Sequence, residues 1–142
     1  MGTKCCLLID DDLDDQELFC LAAKEADMDV VCICANDGLE GLEKLAQPQA
    51  IIPDYIFIDL NMPRMNGIDS LREIKKLPYL NESRIIIYST SIDEKSRTES
   101  KALGVDKFLI KPAGFDKMKE ELKKIFKASS DSSGDEKSES HE

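Results

Sequence analysis

Three short apolar runs, each ending in charge, constrain this chain more than any other feature. Cys5-Cys6-Leu7-Leu8-Ile9 runs into Asp10-Asp11-Asp12, Tyr55-Ile56-Phe57-Ile58 into Asp59, and Phe108-Leu109-Ile110 into Lys111-Pro112. Apolar at successive positions rather than alternate ones, such runs suit strands buried on both faces of a parallel sheet. Ligands of open α/β sheets gather outside the carboxyl ends of the strands. If these three strands are neighbours, three carboxylates and an ammonium converge on one small pocket. Like charges that close repel, so the arrangement needs a cation between them. Magnesium-assisted phosphoryl transfer is the chemistry that wants this set.

Strand and helix patterns alternate five times along the chain. Strands are expected at Lys4–Ile9, Val30–Ala35, Tyr55–Leu60, Ile85–Tyr88 and Lys107–Ile110. The first helix, about Asp14–Glu25, has Leu18, Phe19, Leu21 and Ala22 as its inner stripe, with Asp14 and Asp15 in the first turn, where the helix dipole favours acids. A second helix passes through Leu39, Leu42 and Leu45, and a third through Ile68, Leu71 and Ile74. The fourth, about Asp93–Leu103, is mostly polar and so loosely held, with Gly104 as its cap. The last carries Phe115, Met118, Leu122, Ile125 and Phe126 on one face. Such alternation with short connections implies a doubly wound parallel sheet with right-handed crossovers.

Four motifs, each closing an apolar strand, carry a family resemblance. Ile9-Asp10-Asp11-Asp12, Ile58-Asp59-Leu60-Asn61-Met62-Pro63-Arg64-Met65-Asn66-Gly67, Tyr88-Ser89-Thr90 and Ile110-Lys111-Pro112 resemble the receiver domain of two-component response regulators. The resemblance spans roughly residues 4 to 127. It implies a flavodoxin-like (βα)5 fold with strand order 2-1-3-4-5, an order the periodicity alone leaves open.

The resemblance also implies roles. Asp59 would be the phosphoacceptor, its carboxylate attacking a phosphoryl group to give an aspartyl phosphate. Asp11 would hold magnesium directly and Asp10 through water, with Asp59 and the Asn61 carbonyl completing the site, and manganese able to substitute. Lys111 would reach Asp59 and then a phosphoryl oxygen, and the Lys111–Pro112 bond is often cis in the family. Ser89 would bond the phosphoryl group, a partner that it and Lys111 are expected to lack while Asp59 is free. Phe108 would then swing into the space that Ser89 vacates, and the polar fourth helix would follow. Asp12, Asp14 and Asp15 are expected to serve the helix start and solvent.

The implied function is that of a stand-alone, cytoplasmic response regulator. It would take phosphate from a sensor histidine kinase or a histidine phosphotransfer protein and act on a downstream protein, without being a metabolic enzyme. A net charge of −10 argues against nucleic-acid or anionic-membrane binding. No apolar run approaches the ~20 residues of a membrane span. The domain is expected over 1–127. Residues 128–142 lack any large apolar side chain, and they read as a disordered acidic tail. The five cysteines fall mostly inside predicted elements, and the only histidine is His141, so they read as small buried hydrophobes rather than a metal or redox site. Two alternatives remain. Asp10-Asp11-Asp12 also fits the Asp-x-Asp of a haloacid-dehalogenase-type phosphatase, although Asp14 stands where that family wants Thr or Val, and no acidic pair follows Lys111. The other is a receiver fold acting as an unphosphorylated binding module.

Overall fold

The structure is a computed structural model that describes residues 3–47, 52–62 and 65–131. Five strands, β1 (Lys4–Ile9), β2 (Val30–Ala35), β3 (Tyr55–Ile58), β4 (Arg84–Ser89) and β5 (Lys107–Ile110), form one parallel sheet in the order β2-β1-β3-β4-β5. Helices α1 (Leu13–Ala26), α2 (Gly38–Ala46), α3 (Gly67–Lys75), α4 (Glu94–Ala102) and α5 (Phe115–Asp131) make the connections and cover both faces. This is the flavodoxin-like (βα)5 arrangement expected from the sequence.

Each helix from α1 to α4 starts on a short polar cap. Asp12, Asp37, Asn66 and Asp93 accept the backbone N–H of Asp15, Glu40, Asp69 and Ser96 at 3.1, 2.9, 2.9 and 2.7 Å. Each bond satisfies a donor that the first helical turn would otherwise leave without a partner. The caps turn the chain sharply out of the strand ends, which keeps the strand-end carboxylates at the rim of the sheet. Gly67 permits a close approach there: a Cβ at this position would stand 2.5 Å from the Asp59 carbonyl oxygen. Gly104, at φ +90°, ends α4 in the left-handed region.

Several local expectations differ from the structure. β3 stops at Ile58 rather than Leu60, because Asp59 and Leu60 already belong to the loop. In α1 the inward residues are Phe19, Ala22 and Ala23, whereas Leu21 is 59% exposed. The small alanines let the helix lie close to the sheet, a preference that hydrophobicity alone does not reveal. The stretch after α3 contains a 3-10 turn, Pro78–Leu80, that buries Leu80. α5 continues to Asp131, so the tail's first four residues are helical and the boundary expected after Lys127 falls inside the helix. The rest of the tail expectation, 132–142, lies outside the described residues, as do Pro63 and Arg64 of the second motif.

Candidate functional site

The strand order sets β1 beside β3 and β3 beside β4, with Ile9 level with Ile58 and Ile58 level with Ile87. The ladder continues one step past the strands: Asp59 N–H donates to the Ile9 carbonyl at 2.9 Å, and Lys111 N–H to the Ser89 carbonyl at 2.9 Å. Asp10, Asp59, Ser89 and Lys111 therefore leave the sheet at one level. Carboxylate oxygens of Asp10, Asp11 and Asp59 lie within 4.8 Å of one another, the grouping suited to a metal ion among the described residues.

Burial sorts these groups. Asp10 and Ser89 are fully buried, Asp59 nearly so, and Asp11 is exposed. Asp59 Oδ1 accepts from Ser89 Oγ at 3.1 Å and from the Asn61 N–H at 3.2 Å. Its Oδ2 accepts from Lys111 Nζ at 3.1 Å. The hydroxyl and the ammonium are thus already bonded to the carboxylate, which corrects the expectation that Ser89 and Lys111 lack a partner while Asp59 is free. The reason is burial. A carboxylate with so little access to water must find donors in the protein, and a buried hydroxyl must find an acceptor.

Asp10 shows the reverse. Its Oδ1 accepts the Asp12 N–H at 3.0 Å, but its buried Oδ2 has no hydrogen bond, although Lys111 Nζ lies 2.9 Å away outside hydrogen-bonding angles. Burial pushes the Asp10 carboxyl above the usual carboxylate range, offset in part by the Asp12 N–H and Lys111. Burial also works against the charged form of Lys111, yet the carboxylates of Asp15, Asp10 and Asp59 outweigh it and hold the lysine above its ordinary value. The ammonium further lies 5.2 Å from the centre of the Tyr88 ring. A buried carboxylate oxygen without a hydrogen bond, facing two more carboxylates, is a hard-oxygen donor set that fits a small divalent cation.

Asp15 is the site residue that the sequence reading missed. The sequence places it at the helix start and in solvent, yet its Oδ2 lies 2.7 Å from Lys111 Nζ. The signal was weak because the partner is 96 residues away and the helix dipole already explained an acid there. Phe108 is half-buried on the aliphatic side of the sheet, with the Arg97 guanidinium 4.6 Å above its ring. No peptide bond among the described residues is cis, including Lys111–Pro112.

The five cysteines are free thiols. Cys20 and Cys34 approach to 3.5 Å between sulfurs, but thiol–thiol hydrogen bonding with Cys32, together with burial, pushes Cys20 up to about 11. A thiol held protonated is a poor nucleophile and a poor ligand.

An open parallel sheet with buried acids and a lysine at its carboxyl rim defines a doubly wound domain with an acidic pocket suited to a cation. The response regulator receiver domain family matches residues 6–123, and the chain belongs to that family. It is 32% identical over 93 residues to the chemotaxis protein CheY of Thermotoga maritima, covering 66% of this chain and 73% of that protein. The phosphorylated cyanobacterial phytochrome response regulator RcpA superposes with a TM-score of 0.80 at 30% identity, over 87% of this chain and 91% of that one. The Mn(2+)-bound form of response regulator Rcp1 gives 0.79 at 27% identity, over 92% and 97%. Other relatives are longer: the chain spans 28% of a protein-glutamate methylesterase/protein-glutamine glutaminase of Methanospirillum hungatei and 50% of the probable C4-dicarboxylate response regulator DctR of Bacillus subtilis. These matches do not favour the dehalogenase-type alternative. No helix among the described residues is long and apolar enough to cross a membrane.

Proposed function

We propose that this receiver takes a phosphoryl group on Asp59 from a sensor histidine kinase or a histidine phosphotransfer protein in the cytoplasm, and passes the signal to a downstream protein by a change of surface. The observation that supports it is the buried Asp59 carboxylate, held by Ser89, Asn61 and Lys111 beside an Asp10 Oδ2 that accepts no hydrogen bond. A carboxylate oxygen of Asp59 attacks phosphorus as the bond to the donor's histidine nitrogen breaks, and the imidazole leaves. Asp10, Asp11, Asp59 and the Asn61 carbonyl would hold magnesium, or manganese in its place. The ion would offset charge between the carboxylates and the phosphoryl oxygens. Lys111 follows the developing charge onto a phosphoryl oxygen, since its ammonium already bonds the attacking carboxylate. Ser89 donates to another. In this reading phosphorylation redirects donors that are already in place.

Asp59→Asn keeps the shape and removes the nucleophile. Incubation with acetyl phosphate and magnesium should label the parent at Asp59 and leave the variant unlabelled by intact-mass measurement. Equal labelling of both would sink the assignment.

A further inference from the structure

The shortest polar contact of Lys111 is to a residue outside the set just described. Its Nζ lies 2.7 Å from Asp15 Oδ2, against 2.9 Å from Asp10 Oδ2 and 3.1 Å from Asp59 Oδ2. Asp15 comes from the first turn of α1 and not from a strand end, and it stands outside the group of three clustered carboxylates. Its side chain is 34% exposed, whereas Lys111 is 9% and Asp10 is 0%. One ammonium therefore bridges a buried pair of carboxylates and a half-exposed carboxylate on the helix side. Its hydrogen bonds go to Asp15 and Asp59, and Asp10 Oδ2 receives none.

Resting on the phosphoacceptor reading above, we propose that Asp15 is a positioning residue. It gives Lys111 an anchor on α1, so that the ammonium, 2.9 Å from Asp10 Oδ2, can yield that oxygen to a divalent cation. A lysine ammonium is a compact charge on a flexible stem, and it settles where the carboxylates are densest. Without Asp15, it is held between Asp10 and Asp59 alone. There it would neutralise the oxygens that a divalent ion needs and repel the ion at short range. With Asp15 present, part of the lysine's charge is balanced by a third carboxylate. Asp15 can do this at low cost because it keeps contact with water. The same geometry leaves Lys111 within reach of a phosphoryl group on Asp59 without stranding a buried acid, since Asp15 can return to solvent when the lysine moves.

The test is a magnesium titration of the full chain followed by backbone amide shifts near Asp11 and Asn61. In Asp15→Asn, an isosteric change, the midpoint should move to higher magnesium by on the order of tenfold, a size set by one unit charge near the surface of the site. Asp15→Glu should restore a large part of the affinity. In a Lys111→Met background, the loss caused by Asp15→Asn should shrink to the small direct effect of one distant charge. Parent-like affinity in Asp15→Asn would overturn the proposal. So would an undiminished loss in the Lys111→Met background, which would make Asp15 a plain electrostatic contributor. The titration uses no phosphodonor. Failure of the parent to label at Asp59 would therefore count against the phosphoacceptor reading and not against the Asp15 result.

Discussion

The two faces of the sheet are built from different chemistry. Cys6, Leu8, Tyr55, Phe57, Ile86 and Tyr88 face α1 and α5, whereas Leu7, Ile9, Ile56, Ile58, Ile85 and Ile87 face the side of α2, α3 and α4. The first face is aromatic. Phe19 meets Phe57 edge-on at 4.8 Å and Tyr88 at 5.4 Å, and Tyr55 meets Phe126 at 5.1 Å. The second is aliphatic, and α4 is barely part of it. The one buried residue of α4 is Ser100, and its hydroxyl has no hydrogen-bond partner among the described residues. The acidic pocket sits on strand ends shared by both faces. A charge change there strains both, and the element with least buried apolar surface should yield first. The α4 side is therefore the side expected to carry a signal, while the α1–α5 side stays a reference frame.

The sharpest way to break this contrast is to truncate one anchor on each side. Phe19→Ala removes a fully buried ring with two edge-on partners and should cost about 3–5 kcal/mol of stability. Arg97→Ala removes the guanidinium above Phe108 and should cost about 0.5–1 kcal/mol, the usual worth of such a contact near the surface. Urea unfolding of both variants checks this. Similar losses would show that α4 is anchored as firmly as α1.

Ser100→Ala should sharpen the contrast in the opposite direction. It deletes a buried hydroxyl without a partner and substitutes the best helix former. A gain of about 1 kcal/mol follows from the cost of an unsatisfied buried polar group. The gain should appear as slower amide exchange within Glu94–Ala102 and leave α1 and α5 unchanged. A destabilised variant would mean that the hydroxyl finds water or a carbonyl in solution.

Much of this asymmetry was legible in the sequence, and the reasons it was only partial are physical. The strands could be read because burial on both faces leaves continuous apolar runs, and α4 stood out because it is so polar. Their order could not be read from periodicity, since hydrophobic pattern marks faces and not neighbours. It came from the motif resemblance, which also brought Asp10, Asp59 and Lys111 together. Leu21 was placed inside and is outside because helix–sheet packing here selects Ala22 and Ala23 for size. Asp15 was missed because a long-range ion pair leaves no local pattern. The reach of Lys111 to Asp59 was legible through the resemblance, whereas the bond from Ser89 to the free carboxylate was missed because burial of that carboxylate is a tertiary fact.

The smallest expected effect separates the two faces by acid. Asp27 closes α1, and its carboxyl is held below the usual range by the Asp29 N–H at 3.0 Å and then by Lys4 at 3.0 Å. Asp93 opens α4, and its carboxyl is lowered by the Ser96 N–H at 2.7 Å. Both have folded values below their unfolded ones. Each therefore adds stability that is fully present above the unfolded aspartate value, about 3.9. That stability is lost as pH falls through the lower folded value. The losses should surface in different places. α1 is packed into the aromatic face and opens only with the whole domain, so Asp27→Asn should flatten the acid limb of global stability. α4, with Ser100 as its one buried residue, is expected to open by itself, and Asn is as good a cap as Asp. Asp93→Asn should therefore flatten the pH dependence of amide protection within Glu94–Ala102 and leave global unfolding as in the parent. Exchange and urea curves collected from pH 6 downward would show it. If Asp93→Asn changes the global acid limb as much as Asp27→Asn does, α4 unfolds with the rest of the domain and the two faces are one cooperative unit.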